Sequence, residues 1–297
     1  MKALLVGMGA MGRRHHDALV RNNQIEEIIT VDPNPDVSAQ YLSIVEAIAK
    51  HEIDLGIVAS PTSFHKDNAA TLLENGISVL IEKPVALSTE EAQVLVKLAR
   101  QNSCRAAVGH IERQNPAIKA LMEDLDQAPR TVTLKRTSPY PTRITDVGVA
   151  LDLSIHDIDL ARYITGAEVV GVTSVLQSIR NRCEDSAMYL LELDNGGAAA
   201  IHTSWLSPFR ERSATVTTPA GVYSIDMLRQ QATKYTDTPE ANFAVTGLFV
   251  RREDQLDSQL TAFIQYVLTG APTNLCLLED GIRALAIVEE SLDESMH

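Results

Sequence analysis

The opening sixteen residues constrain the fold of this chain more than any other stretch. An apolar, strand-forming run over residues 3–6 is followed by Gly7-x-Gly9-x-x-Gly12 and then by a polar segment that can form a helix. This order is typical of the dinucleotide-binding turn of a Rossmann unit, although the glycine pattern alone is weakly specific. Gly7 would permit the tight turn, Gly9 would let the backbone approach a pyrophosphate, and Gly12 would let the helix pack closely on the strand. The helix N-terminus would offer free N–H groups to the phosphates.

A carboxylate follows the next predicted strand at the distance that a Rossmann unit requires. Residues 27–31 are expected to form this strand, which ends at Asp32, twenty residues after Gly12. An acid at this place hydrogen-bonds the adenosine ribose, and it favours NAD because it would repel the extra phosphate of NADP. Arg13 and Arg14 could pair with that phosphate, so NADP remains an alternative. The other interpretation of Asp32, an Asp-Pro turn that only ends a strand, is disfavoured by its register with the glycine turn.

Composition and charge limit the classes of partner. With 297 residues the chain is long enough for two domains and a sizeable core. Its formal net charge of −13 argues against nucleic acid or an anionic membrane as the main partner. The widely spaced Cys104, Cys183 and Cys276 form neither a CxxC pair nor a metal-binding pattern, which indicates a reducing compartment. Because the sequence also contains no signal peptide or membrane span, we expect a cytoplasmic protein.

The first third of the chain alternates predicted strands and helices. Further strands are expected at 53–59, 78–81 and 104–110, with helices between them. Such alternation predicts an α/β fold with a doubly wound parallel sheet. In sheets of this kind, ligands bind at the carboxyl ends of the strands, where the motifs described here fall.

After residue 113 the pattern changes to that of an α+β domain. A helix is expected from Asn115-Pro116, because proline is favoured at the first helical position. Extended runs with short turns between them predict a mainly antiparallel open sheet, at 168–179, 186–193, 198–205, 212–218 and 222–227. Helices are expected at 253–268 and 279–294. We therefore predict an NAD-binding Rossmann domain over 1–113 and a substrate-binding domain over 114–297, whose C-terminal helices can pack back on the first domain.

One predicted helix, at 149–164, carries a candidate catalytic group. Asp152, His156 and Asp159 are spaced i, i+4 and i+7, which places them on one helical face. A carboxylate one turn from a histidine can fix its tautomer, as a general base requires. The alternative is a solvated face with ordinary polar pairs, which the mostly apolar character of this helix disfavours.

Lys83 is the second candidate, because it follows a strand of the cofactor-binding half. At that strand end a lysine could lie near the nicotinamide and share in proton transfer. The alternative is a surface lysine before a turn. The histidine and acidic residues show no H-x-x-x-H spacing, so no metal is predicted.

Several motifs in a fixed order resemble the Gfo/Idh/MocA family, named for glucose–fructose oxidoreductase and inositol dehydrogenase, over essentially the whole chain. They are GMGAMGRRH at 7–15, SPTSFH at 60–65, EKP at 82–84, GHIERQNP at 109–116 and DLSIHDID at 152–159. The resemblance implies a Rossmann domain followed by an α/β domain whose open sheet often forms the oligomer interface. It thus implies a homodimer or homotetramer, and a cis peptide bond before Pro84.

The same resemblance implies the roles of individual residues. The implied catalytic set is Lys83, Asp152 and His156. The implied cofactor-binding set is Gly7, Gly9, Ala10, Met11, Gly12, Asp32, Ser60, Pro61, Thr62, His65, Glu82 and Lys83. The implied substrate-binding set is His110, Arg113, Arg143 and Asp159.

Within the family, two longer stretches, at 109–121 and 139–166, are similar to those of UDP-N-acetylglucosamine 3-dehydrogenases. That likeness implies NAD-dependent oxidation of the sugar C3 hydroxyl to a ketone, ahead of transamination. A diphosphate would require cations, and the sequence does not rank Arg113, Arg136, Arg143 and Arg210 for that role. The alternatives are an inositol or simple aldose dehydrogenase, and a regulatory NAD-binding protein without turnover, which would not need the Lys83, Asp152 and His156 set.

Overall fold

The chain forms two compact units in a computed structural model that describes residues 1–141, 147–180, 182–238 and 243–295. The first unit comprises Met1–Gln114 and Glu253–Arg283, and the second comprises Asn115–Arg252 and Ala284–His297. Within the described residues, no helix combines the length and the apolar character needed to cross a membrane.

The strands and helices are numbered in chain order. The strands are β1 (Lys2–Val6), β2 (Glu27–Val31), β3 (Leu55–Val58), β4 (Ser78–Ile81), β5 (Ala106–Val108), β6 (Thr131–Thr137), β7 (Val169–Gln177), β8 (Ser186–Leu193), β9 (Ala198–Ser204), β10 (Glu211–Thr218), β11 (Gly221–Asp226), β12 (Gln231–Thr236), β13 (Ala244–Gly247) and β14 (Cys276–Leu277). The helices are α1 (Ala10–Arg21), α2 (Ile44–Ile48), α3 (His65–Glu74), α4 (Thr89–Gln101), α5 (Pro116–Asp124), α6 (Ile155–Thr165), α7 (Gln255–Thr269) and α8 (Leu278–Ser295). Short 3-10 turns span Thr62–Phe64 and Ile111–Gln114, and a π-helical turn spans Ala150–Ser154.

The sheet of the first unit has the strand order β14-β5-β4-β3-β1-β2. Strands β1 to β5 run parallel, which confirms the predicted doubly wound sheet, and β14 joins antiparallel to β5. All residues of β3 and β4 are buried, as expected for parallel strands covered on both faces. From β1 the chain first continues to β2 on one side of it and then crosses to β3 on its other side, so the direction of strand addition changes at β1. The glycine turn after β1 therefore lies at the topological switch point, where such sheets bind ligands.

The sheet of the second unit has the order β13-β12-β11-β10-β6-β9-β8-β7. Its neighbouring strands are antiparallel except for β6 and β9, which are parallel. This confirms the predicted, mainly antiparallel sheet and extends it by β12 and β13. Those two strands escape sequence analysis because they carry few apolar residues, and Ala232 is the one buried apolar residue described in them.

A buried ion pair fixes α6 on this sheet. The Arg136 guanidinium of β6 donates through Nε and Nη2 to both Asp157 carboxylate oxygens, at 2.6 to 3.1 Å. Both side chains are almost completely buried. The Ser154 hydroxyl lies 2.5 Å from that of Thr203 on β9, and Gly166, at φ +60°, ends the helix in the left-handed conformation. Helix α6 and the π turn before it thus have fixed polar contacts to two central strands, β6 and β9.

Asp157→Ala should lower the free energy of unfolding by about 3–5 kcal/mol, because Arg136 would stay buried without its bidentate partner. Urea denaturation followed by circular dichroism measures this change. The control is Arg229→Ala, which removes an exposed pair with Asp226 and should cost about 0–1 kcal/mol. Similar small losses for both variants would contradict a structural role for the buried pair.

Candidate functional site

The three glycines of the first turn occupy positions with different steric demands. Gly7 has φ +93°, and a Cβ there would lie 2.7 Å from the Ser60 backbone nitrogen. A Cβ at Gly12 would overlap the Gly7 carbonyl oxygen, so the start of α1 can approach β1 only because Gly12 has no side chain. A Cβ at Gly9 would meet nothing within 4 Å. The open side of Gly9, before the N-terminus of α1, therefore fits a pyrophosphate as its backbone neighbour.

Asp32 connects the end of β2 to the glycine turn. Its Oδ2 accepts a hydrogen bond from the Met8 backbone N–H at 2.8 Å, and its Oδ1 accepts one from the Asn34 backbone at 2.9 Å. The side chain is half-buried. Sequence analysis predicted the place of this carboxylate, and the structure brings it to the turn that carries Gly9. The remaining lone pairs of a carboxylate leave capacity for the ribose hydroxyls expected there.

His65 connects the loops that follow β3 and β4. Its buried ring lies with Nε2 2.8 Å from the Ser60 carbonyl oxygen and Nδ1 2.8 Å from the Pro84 carbonyl oxygen. The Lys83–Pro84 peptide bond is cis, as the family resemblance implies. Burial lowers the pKa of His65, while the hydrogen bonds to the Pro84 and Ser60 carbonyl oxygens oppose that shift. Both ring nitrogens face backbone, and His65 would therefore shape the predicted cofactor site through Ser60 and Pro84.

Glu82 of the EKP motif is paired with a histidine that sequence analysis did not single out. Its Oε1 lies 2.7 Å from Nε2 of His15 on α1, and both groups are shielded from solvent. Burial alone would raise the pKa of Glu82, but the His15 contact and the neighbouring Lys83 charge lower it overall. A Cβ at Gly109 would lie 3.0 Å from the Glu82 carboxylate, which shows how closely the backbone just after β5 packs against it. Glu82 thus joins α1 to the strand end that carries the half-buried Lys83.

Two of the four candidate arginines are committed to partners within their own units. Arg113 is buried, and its Nη1 donates to the Leu275 carbonyl oxygen and the Asp280 carboxylate. Arg136 pairs with Asp157 as described above. Arg210 is exposed, and Arg143 lies outside the described residues. The local context of an arginine in sequence does not reveal such distant partners.

The predicted catalytic residues of the second unit lie on one continuous helical segment. Asp152 belongs to the π turn and His156 to the first turn of α6, so the i, i+4 spacing does not follow a regular α-helix. Asp152 and His156 are half-buried, whereas Asp159 is buried. The π turn widens the helix at this point, a feature that is frequent at functional sites. Sequence periodicity predicts the helix but cannot reveal the π turn.

The other predicted site residues lie at three places in the first unit. Ala10 and Met11 form the first residues of α1, and Pro61 and Thr62 follow β3. His110 is buried after β5. The roles assigned to these residues remain predictions.

The first unit thus has the parts of a dinucleotide-binding site. Comparison with known proteins gives the family of the chain. Residues 1–110 match the model of an oxidoreductase family with an NAD-binding Rossmann fold, GFO_IDH_MocA. Residues 127–224 match the GFO/IDH/MocA C-terminal domain. The chain belongs to the GFO/IDH/MocA family. It is an oxidoreductase, and its cofactor is NAD.

Individual relatives include dehydrogenases of nucleotide sugars and of inositols. UDP-N-acetylglucosamine 3-dehydrogenase of Acidithiobacillus ferrooxidans is 33% identical over 212 residues, covering 69% of this chain and 67% of the relative. A solved structure of that enzyme superposes with a TM-score of 0.89 at 27% identity, over 98% of this chain and 96% of that one. The scyllo-inositol 2-dehydrogenase (NAD(+)) of Bacillus subtilis is 26% identical over 279 residues, covering 85% of this chain and 81% of the relative.

Alanine substitutions in the glycine turn should separate cofactor binding from folding. Gly9→Ala should melt like the wild type but bind NADH at least about tenfold more weakly, because its Cβ would occupy the open face. Gly12→Ala should lose about 1–3 kcal/mol of stability, because its Cβ overlaps the Gly7 carbonyl oxygen. Thermal melting and NADH fluorescence titration measure the two effects. Unchanged NADH affinity in Gly9→Ala would rule out the assigned pyrophosphate position.

Proposed function

We propose that this oxidoreductase oxidises a hydroxyl of a nucleotide sugar to a ketone, with C3 of UDP-N-acetylglucosamine as the favoured position. The observation that carries the proposal is the 33% identity to a UDP-N-acetylglucosamine 3-dehydrogenase over about two thirds of both chains. The chain also carries the half-buried Asp152 and His156 on one continuous helical segment. A transaminase is the natural consumer of the ketone product.

The proposed chemistry divides the work among a few side chains. His156 accepts the proton of the substrate hydroxyl, and Asp152 orients its imidazole. Lys83 hydrogen-bonds the developing alkoxide, while Asp32 and the Gly9 turn hold the ribose and pyrophosphate of the cofactor. NAD, when bound, supplies the hydride acceptor. The protein accelerates the reaction through positioning and charge stabilisation.

An inositol or simple aldose is the second candidate substrate. The relative that acts on scyllo-inositol covers more of this chain, although at lower identity. The commitment of Arg113 and Arg136 to internal partners also reduces the cations that could bind a diphosphate. A free polyol does not require such cations.

A substrate screen distinguishes these functions. Purified protein is mixed with NAD and either UDP-sugars or free polyols, NADH formation is followed at its absorbance band, and a coupled aminotransferase draws off the ketone. UDP-N-acetylglucosamine should give the highest kcat/KM. Turnover of free inositol alone would favour the second candidate, and NADH binding without turnover of any compound would refute both proposed substrate classes.

His156→Ala, measured in the same assay, tests whether His156 is the general base. Turnover should fall by at least about 100-fold, because general-base catalysis contributes about 10²–10⁴-fold. NADH affinity should remain nearly unchanged. His16→Ala, on α1 and half-exposed, is the matched control and should keep wild-type turnover. Retained turnover in His156→Ala would remove His156 from the mechanism.

We further propose that the second unit forms a homo-oligomer through the open face of its sheet. Val175, Met188 and Leu190 on β7 and β8 are more than half exposed and lie side by side on this face. The face continues through the half-buried Ala200 of β9, the partner of Leu190. Exposed apolar surface of this kind is typical of protein–protein interfaces.

Leu190→Glu should shift the protein to monomers, because a carboxylate would be buried in each copy of the interface. Light scattering coupled to size-exclusion chromatography measures the mass. Val20→Glu, which changes an exposed apolar residue of α1, is the control and should leave the mass unchanged. A monomeric wild type would refute the proposal directly.

A further inference from the structure

The helical segment that carries Asp152 and His156 begins without a cap from its own sequence. Val149 precedes the π turn in an α-helical conformation and provides no side-chain cap. The first N–H groups instead donate to one residue of the β7–β8 loop. The Val149 N–H donates to the Glu184 carbonyl oxygen at 2.9 Å, and the Ala150 N–H donates to Glu184 Oε1 at 3.2 Å. Glu184 thus satisfies two donors that a helix start leaves open.

A glycine makes this contact possible. A Cβ at Gly148 would overlap the Glu184 carboxyl group, so the carboxyl lies directly against the Gly148 backbone. The Gly148 carbonyl oxygen in turn accepts a hydrogen bond from the Asp152 N–H at 3.1 Å. The Glu184 carboxyl therefore contacts the same residue, Gly148, whose carbonyl oxygen accepts the hydrogen bond from Asp152.

Hydrogen bonds of the buried neighbouring residue, Asp185, hold Glu184 in place. The Asp185 carboxylate accepts hydrogen bonds from the backbone of Ile179 and Arg180, at 3.0 and 2.7 Å. Its backbone N–H donates to Gln177 at the end of β7, and its carbonyl oxygen accepts from Trp205 after β9. These bonds tie the loop to two strands. The position of Glu184 is consequently set by the sheet.

The pKa of the Glu184 carboxyl group is raised by its surroundings. Desolvation raises its pKa above the ordinary value of glutamic acid, and the adjacent Asp185 charge adds to the effect, while the Ala150 N–H opposes it. Tyr189 of β8 is another titratable group whose pKa responds to Glu184. A protonated carboxyl keeps a carbonyl oxygen that can accept from Ala150 but loses its charge.

We infer that Glu184 is a positioning residue for Asp152 and His156, acting as the cap of the helical segment that bears them. The inference rests on the proposed function for its kinetic consequence, because the two residues act there as orienter and base. Its structural part, the capping of Val149 and Ala150, does not depend on any substrate. Small displacements of catalytic groups are costly, and a shift of about 1 Å can lower the rate about 100-fold.

The kinetic test compares Glu184→Ala with Glu184→Gln in the full-length protein. Glu184→Ala should lower kcat per NADH-binding site by about ten- to 100-fold with little change in NADH affinity, because only the helix start is disturbed. Glu184→Gln keeps an acceptor for Ala150 and should retain kcat within about threefold. Glu123→Ala, which removes an exposed glutamate of α5, is the matched control and should behave as the wild type. If Glu184→Ala does not fold, Glu184→Asp replaces it in the test. Its shorter side chain moves the carboxylate away from Ala150, so the same fall in kcat is expected.

The structural test measures amide hydrogen exchange over residues 147–156. Loss of the side-chain contact to Ala150 should accelerate exchange in this segment in Glu184→Ala but not in Glu184→Gln or Glu123→Ala, whereas the bond from Val149 to the backbone carbonyl of Glu184 is kept in all variants. Wild-type kcat and unchanged exchange in Glu184→Ala would overturn the inference, as would a glutamine variant as impaired as the alanine variant. If wild-type protein oxidises no sugar, the proposed function fails, and the exchange measurement still decides whether Glu184 caps the segment.

Discussion

The close approach of α1 to β1 is the contact on which the cofactor-binding unit depends. A helix N-terminus can serve a pyrophosphate only if it begins where the strand ends, and any side chain at Gly12 would prevent that. The same packing brings His15 on α1 to Glu82 after β4, and Met8 in the turn to Asp32 after β2. Three strand ends are thus joined through one helix start. These polar contacts therefore depend on the absence of a side chain at Gly12, which lets α1 pack against the end of β1.

The second unit positions its predicted site by electrostatic contacts. The Arg136 guanidinium holds the first turn of α6 on the sheet through Asp157, and Glu184 accepts from the N–H groups of Val149 and Ala150 at the start of the π turn. Asp152 and His156 lie between these two fixed points along the chain. External contacts on both sides of the π turn thus keep the geometry of this widened segment defined. Rigid support of this kind is what a general base and its orienting group require.

The sequence predicts the elements of the fold well wherever the signal is local. The edges of β2, β4 and β8 agree with the predicted ranges, because apolar runs bounded by turn residues define them. Strand β14 is only two residues long, and β12 and β13 carry few buried side chains, so no periodicity reveals them. In the candidate site, Asp32 and the glycines follow from spacing along the chain. The partners of Arg113, Arg136 and Glu82, and the cap at Glu184, depend on contacts between residues distant in sequence.

The sheet of the cofactor-binding unit is completed by a segment that is synthesised late. Strand β14 and helix α7 belong to the first unit, although the whole β-sheet of the second unit precedes them in the chain. Leu256, Leu260 and Phe263 of α7 share a buried apolar core with Leu5 and Ile57. During translation, the first 114 residues therefore emerge with part of this core uncovered. The amino-terminal unit can reach its final fold only after the ribosome has passed residue 283, so the two units mature together although each has its own sheet.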